Sequence, residues 1–471
     1  MDNQPIPKSQ IFNSLPGEWN HDFRAAIRRH IEADCIKVVV LDDDPTGTQT
    51  IHGLTVLTEW SVESLAIELK DSPKAFYILT NTRSGTIQTA RRINAEIGRN
   101  LSAAAKQTSQ QFVVISRSDS TLRGHFPGEI AALSESLAQK YDGWILIPFF
   151  LEGGRYTIDN IHYVEEDGIL VPAAQTEFAR DRVFGYSTSN LCDWVAEKTN
   201  GQIASEDVIS ISIENLRKGG PESVKAVLMG LHNGDCCIVN AVSYRDIEVF
   251  VQGLLVAEAR GKKFLFRTAA SFVQVRTGIS PRPLLSHSDF QLHHAGGGLI
   301  VVGSYVPRST KQINSLLSEI DISNIEISVD ALVDDRFHNG EISRAVKYIE
   351  KTLRQGKDIL IFTSRLLKTG KDPKSNLQIG QKISQGLINV VRRIQTTPRY
   401  ILAKGGITSS DLATKALNVK RALVLGQILP GVPVWKLGEE SRFPGITYIV
   451  FPGNVGNENA LLDTICQLRR R

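Results

Sequence analysis

A short apolar run followed by an amphipathic stretch, repeated along the chain, is the feature that most restricts its fold. Ile36–Leu41, Ala75–Leu79, Phe112–Ile115 and Trp144–Ile147 are apolar enough to be buried strands. Between them, Ile87–Leu101 and Glu129–Gln139 carry apolar residues at helical spacing. Such alternation predicts an α/β fold, a mostly parallel sheet with helices on its faces. The pattern fades near Ser280, where Pro281 to Ser288 reads as a proline-rich linker. It resumes after Gly296-Gly297-Gly298. There Leu299–Val302, Asp358–Thr363 and Tyr400–Ala403 read as strands, with helices from about Ser309, over Leu377–Ile394 and over Asn459–Leu468. The expectation is two α/β domains, 1–290 (with the linker from about 278) and 291–471, each a mostly parallel sheet flanked by helices. The stretches Glu152–Asn160 and Glu165–Ala174 read as long loops.

With 471 residues, 42% hydrophobic and 22% charged, each domain has apolar surface enough for its own core. A net charge of +4 is small for this length and gives no reason to expect nucleic acid as a partner. No run is apolar enough to span a bilayer. The start, Met1-Asp2-Asn3-Gln4-Pro5, lacks the basic-then-apolar order of a secretory signal. The expected location is the cytoplasm, without a membrane partner. The cysteines Cys35, Cys192, Cys236, Cys237 and Cys466 fit neither a disulfide framework nor a zinc site, and Cys236 and Cys237 read as buried thiols. His293-His294 is adjacent rather than four apart, so no metal-ligand set is assigned.

In open α/β sheets, ligands gather beyond the carboxyl ends of the strands. The first strand runs into Asp42-Asp43-Asp44-Pro45-Thr46-Gly47. Adjacent carboxylates repel unless a cation, a donor or a substrate hydroxyl compensates them. The bland alternative is a solvated acidic turn capped by Asp44. The next strand leads to Arg83, whose planar fork suits a carboxylate or a phosphate. The third leads into Arg117-Ser118-Asp119-Ser120-Thr121-Leu122-Arg123-Gly124. Here an Asp can accept from hydroxyls, while Ser, Thr and Arg donate to a carboxylate. A polar turn with an N-cap explains one or two of these residues but not the set.

The second half offers different chemistry. Gly303-Ser304 follows its first strand. Lys404-Gly405-Gly406-Ile407-Thr408 precedes a helix expected from Ser409 or Ser410. Gly453-Asn454-Val455-Gly456 precedes the last helix. Glycines before helix starts expose backbone N–H groups that suit phosphate. There is no Walker P-loop, no first-strand Gly-x-Gly-x-x-Gly and no Gly-x-Ser-x-Gly elbow.

Taken together these motifs resemble the four-carbon acid sugar kinase family. Its Asp-Asp-x-Thr-Gly is matched by Asp43 to Gly47, its Asp-Ser-Thr-Leu-Arg-Gly by Asp119 to Gly124, its Gly-Gly-x-Thr by Gly405 to Thr408, and its Gly-Asn-x-Gly by Gly453 to Gly456. Glu152 to Arg155, Thr176 to Ala179 and Arg267 to Phe272 are similar as well. Pro45, the Thr48-Gln49-Thr50 stretch, Arg117-Ser118 and Val455 depart from the family's usual residues.

The resemblance implies a sugar-acid-binding N-terminal domain and a nucleotide-binding C-terminal domain. The implied reaction is transfer of a phosphoryl group from ATP, with Mg²⁺, to a hydroxyl of an acid such as threonate, erythronate or an oxo-tetronate. Asp43, Asp44, Thr46, Arg83, Ser118, Asp119, Ser120, Thr121 and Arg123 would then hold the acid, with Arg83 and Arg123 at its carboxylate. Ser304, Gly405, Gly406, Ile407, Thr408, Gly453, Asn454 and Gly456 would hold ATP. Asp44 is the first choice for the base and Asp119 the second. Two other readings stay open, a dinucleotide-dependent enzyme and a non-catalytic sugar-acid sensor. The first-strand glycine fingerprint that the former needs is missing. Homo-oligomerisation is equally open.

Overall fold

The run Val38-Val39-Val40-Leu41 has no polar residue to give to solvent, so its strand needs cover on both faces. In the computed structural model Lys37–Asp42 is a strand buried at every position. The structure describes residues 4–34, 36–71, 74–290, 292, 296–365 and 373–469. Cys35 and the His293-His294 pair lie outside them. Two compact units emerge: Met1–Gly47 with Glu59–Pro281, and Thr48–Thr58 with Arg282–Arg471.

The first unit is built on seven parallel strands in the order Ile209–Ile211, Asp235–Val239, Gly143–Ile147, Phe264–Thr268, Phe112–Arg117, Lys37–Asp42 and Ala75–Leu79. The last three strands in that order share register, Asp42 lying beside both Leu79 and Arg117. Three loops of the sequence reading therefore leave the sheet from one edge. Helix Ile87–Thr108 starts where Thr86 accepts from the Thr89 N–H, and it buries Ala90, Ile97, Leu101 and Ala104 along one face.

The stretches read as loops from sequence are instead a small antiparallel sheet of Arg155–Ile158, Ile161–Glu166 and Ile169–Pro172, with Ile6–Pro7 at its edge. Two-residue turns make it. Asp159-Asn160 (φ 49° and 67°) and Asp167-Gly168 (φ 49° and 81°) adopt the left-handed pair that tight hairpins require.

The second unit has parallel strands Thr447–Phe451, Tyr400–Lys404, Leu299–Val302, Ile359–Thr363 and Ser323–Ile327 in that order. Val432–Leu437, Arg421–Leu429 and Thr55–Leu57 continue it antiparallel. The last of these comes from the excursion Thr48–Thr58, pinned where the Trp435 indole N–H donates to Thr48 Oγ1 (3.1 Å). Ile300, Leu402, Ile449, Phe451 and Leu461 are in its core. The α/β class with two sheet-centred domains is thus as the alternation predicts. Cys236 and Cys237 are buried, 2% and 0% exposed. Among the described residues no helix is long and apolar enough to cross a membrane.

Candidate active site

Three carboxylates at the end of Lys37–Asp42 repel one another, and the neighbouring strand ends supply the guanidiniums that compensate them. Arg83 donates from Nη2 to Asp43 Oδ1 (2.5 Å) and from Nη1 to Asp44 Oδ2 (3.3 Å), and lies 3.9 Å from Asp119. Arg117 donates to Asp42 Oδ1 (3.2 Å). Arg267, from the strand Phe264–Thr268, donates to the buried Glu129 (2.8 Å) and to Ser116 Oγ (3.0 Å), with Nη2 4.0 Å from Asp43. The Ser118 hydroxyl donates to Asp43 Oδ2 (2.5 Å). Burial pushes the Asp43 carboxyl up, but Arg83, Arg267 and the Ser118 hydroxyl hold it below its ordinary value. Asp119 behaves alike: burial raises it, and Arg83 and Arg123 hold it far below the usual carboxylate range.

Asp42 differs. Burial pushes its carboxyl up to about 7 against the pull of Arg117, with Asp43 and Asp44 adding to the rise. Its Oδ2 has no hydrogen-bond partner and occupies the space a side chain at Gly47 would take. A Cβ at Gly47 would lie 1.8 Å from that oxygen, so the turn closes only over glycine. Asp44 is the most open of the four acids, its side chain 23% exposed against 2% for Asp42, 4% for Asp43 and 13% for Asp119. It does cap locally, Oδ1 accepting from the Thr46 N–H (2.9 Å) and hydroxyl (2.5 Å). The bland reading of Asp44 thus accounts for one oxygen, and Oδ2 faces Arg83.

Asp119 accepts from Arg123 Nε (2.6 Å) and from the Thr121 hydroxyl. The loop Ser118–Arg123 is fixed from behind. His162 Nε2 sits 2.7 Å from the Ser120 carbonyl, and the Tyr186 hydroxyl donates to the Thr121 carbonyl (2.9 Å). Burial pushes His162 down to about 4, so the ring is neutral at pH 7 and its Nε2–H donates to Ser120. Asp43, Asp44, Thr46, Arg83, Ser118, Asp119, Thr121 and Arg123 therefore form one network, while Ser120 is tied through its carbonyl to His162 instead. Beside it a small pocket, open to solvent, is lined by Ser118, Asp119, Arg123 and Thr268 and by the apolar Leu146 and Trp194. The Trp194 indole N–H and the Thr268 hydroxyl are buried there without partners.

In the second unit three strand ends gather the glycine-rich segments. Gly405 leaves Tyr400–Lys404 at φ +115°, its N–H donating to the Phe451 carbonyl (2.8 Å). That conformation turns the chain directly into a helix, so the helix begins at Gly406, not at Ser409 or Ser410 as expected from sequence. A Cβ at Gly405 would lie 3.2 Å from both Ser304 Cβ and Thr408 Oγ1, a close approach that brings the two loops together. The Ser309 hydroxyl bridges Ser304 Oγ and the Gly453 carbonyl (3.1 Å each). Ser304 does not cap the helix Pro307–Glu319, whose N-cap is Val306. Ile407 is 59% exposed. Asn454 and Gly456 lie on the following loop, their carbonyls taken by Arg308 (2.5 Å) and Gln312 (3.5 Å).

Sequence reasoning missed the cations that brace this cradle. Lys404 is fully buried, donates to the Pro452 carbonyl (3.0 Å) and lies 4.0 Å from the Phe451 ring centre. Burial, with Arg308 nearby, pushes its ammonium down to about 7. Arg365 donates to the Ser304 carbonyl (2.7 Å) and to Thr310 Oγ1 (2.7 Å). The Ser304, Pro452, Gly453 and Asn454 carbonyls are thus all engaged by side-chain donors. The signal for Lys404 was present, a charge ending an otherwise apolar strand directly before glycines. For Arg365 there was none.

Residues 38–276 match the sugar-binding N-terminal domain family, and residues 299–461 the nucleotide-binding C-terminal domain family. The chain therefore belongs to the four-carbon acid sugar kinase family, and it carries a sugar-binding and a nucleotide-binding domain. A crystal structure from Salmonella typhimurium LT2, provisionally labelled a tRNA synthase, is similar at a TM-score of 0.65 and 15% identity, over 91% of this chain and 98% of that one. Haemophilus influenzae protein HI1011, of a domain family of unknown function, is similar at a TM-score of 0.61 and 15% identity, over 91% of this chain and 100% of that one. At such identities the likeness is one of fold. No curated protein matches the chain.

Proposed function

We propose that this protein transfers the γ-phosphoryl group of ATP to a hydroxyl of a short, four-carbon sugar acid such as threonate, erythronate or an oxo-tetronate. The observation that carries the reading is the braced network of Asp43, Asp44, Arg83 and Ser118–Arg123, in a chain that also bears a nucleotide-binding domain. Arg83 and Arg123 meet the acid's carboxylate, and Asp43, Ser118 and Thr121 orient its hydroxyls. Arg83 keeps one buried donor, Nε, without a partner. Asp44 accepts the hydroxyl proton as the new O–P bond forms and the bond from the γ-phosphorus to the bridging oxygen breaks, releasing ADP. The transfer needs positioning and charge neutralisation more than covalent help. Ser304, Gly405–Thr408 and Gly453 hold the phosphates. Gly405, which has no side chain, leaves its backbone bare to a phosphate's close approach. When bound, Mg²⁺ enters on the phosphates and neutralises their charge. A coupled ADP-release assay with Mg·ATP against a panel of four-carbon acids and their 2- and 3-oxo forms tests this. Turnover with one acid supports it, and silence across the panel counts against it.

Lys404 gives the site a pH signature. Its folded value lies below its ordinary one, so between about pH 7 and 10 the folded protein binds fewer protons than the unfolded chain, and stability from this group grows with pH across that window. Phosphates bound above it favour the charged form. Nucleotide binding at pH 8 should take up close to one proton, and at pH 6 close to none. Titration calorimetry in buffers of different ionisation enthalpy measures the difference. Buffer-independent enthalpies at pH 8 would mean that Lys404 does not respond to the nucleotide.

A further inference from the structure

Five guanidiniums surround the acidic turn and its neighbouring loop. Arg83, Arg117, Arg123 and Arg267 each pair with a carboxylate. Arg155 pairs with none among the described residues. It opens the strand Arg155–Ile158, and its backbone is locked on both sides, exchanging hydrogen bonds with Phe150 (2.9 and 3.1 Å) and sitting opposite Val164. Its Nη1 reaches the Gly153 carbonyl, and its Nε is buried without an acceptor. A desolvated cation with an unsatisfied donor is costly to hold unless an anion visits it.

The surroundings say which kind of anion. The Arg155 guanidinium lies 5.5 Å from the Phe178 ring centre and that of Arg123 lies 5.0 Å from the same centre. Two like charges around one ring repel, and the ring's quadrupole offsets only part of the cost. Arg123 gives Nε to Asp119, but its Nη1 comes no closer than 3.9 Å to Asp181, so its outer donors are also underused. Thr176, two residues before Phe178, is buried and its hydroxyl donates to the Ala173 carbonyl (2.7 Å), which fixes the turn that leads into the ring. Planar forks with spare donors, next to a loop of hydroxyls, suit a small planar carboxylate.

We propose that Arg155, with Arg123 about the Phe178 ring, is the specificity-determining residue that makes this site take a carboxylate-bearing polyol rather than a neutral one. This rests on the sugar-acid reading above and adds a residue to it. Arg155 acts by binding the end of the ligand remote from the reacting hydroxyl.

The test is titration calorimetry of the full chain with threonate and erythronate, each beside its neutral alditol, threitol or erythritol. The wild type should prefer the better acid over its alditol by about tenfold or more. Arg155→Gln should lose that preference by weakening the acid and leaving the alditol unchanged. An acid affinity equal to wild type in Arg155→Gln overturns the proposal and leaves the kinase reading intact. A wild type that binds neither acid overturns both. If Arg155→Gln loses its fold by circular dichroism, Arg155→Lys carries the test. It keeps the charge without the fork, so the acid should weaken by about fivefold with the alditol unmoved. Unchanged affinities there overturn the proposal as well.

Discussion

Replacing Asp44 by Asn should lower kcat for phosphoryl transfer by about two to four orders of magnitude, the usual contribution of a positioned general base, and leave the fold in place. The other carboxylates are committed. Asp43 carries Arg83 and Ser118, Asp119 carries Arg123 and Thr121, and Asp42 is closed in under Gly47. Asp44 is the open one, and an Asn there still offers Thr46 an oxygen. The change removes proton-accepting capacity at one atom while the turn keeps its local hydrogen bond. Steady-state kinetics with a melting curve checks this. A kcat within about threefold of wild type would move the base to Asp119, whose Asn variant is the next to make.

Gly405→Ala should weaken nucleotide binding by about tenfold or more, near 1.4 kcal/mol, with sugar-acid binding unchanged. Two costs add. A φ of +115° is strained for any L side chain, and the added Cβ meets Ser304 and Thr408 at 3.2 Å, where a bound phosphate needs the backbone close. Relief by rotating the peptide would also pull on the N–H that Gly405 gives to Phe451. Because the strain sits in the second unit, a melting curve should show some loss there while the acid still binds. An Ala variant with wild-type nucleotide affinity would mean that this loop does not cradle the phosphates.

The sheets were legible because period and apolar run length report burial directly, as in Lys37–Asp42 and Tyr400–Lys404. The small sheet at Arg155–Pro172 was not, because its strands are short and polar residues such as Thr157, His162 and Glu165 interrupt the apolar ones. Its two signals, Asp159-Asn160 and Asp167-Gly168, are turn signals that a search for strand runs passes over. The helix start at Gly406 was missed for a related reason: a positive-φ glycine removes the connecting residues that a reader of sequence expects. In the candidate site, adjacent chemistry was readable and remote chemistry was not. Asp43, Asp44 and the Ser118–Arg123 loop announce themselves by local composition. Arg267 and Arg155 join them only through folding, from strands 144 and 32 residues beyond Arg123 in chain order. Lys404 and Arg365 brace the second cradle through carbonyls, and backbone acceptors leave no mark in a sequence.

The most direct test of the account is a phosphorus NMR spectrum of the protein with Mg·ATP and each acid of the panel. The account predicts that the γ-phosphate signal of ATP falls as a new phosphomonoester signal rises, with one acid and not with its alditol. ATP consumed only to ADP and inorganic phosphate, or not consumed with any acid, would contradict it.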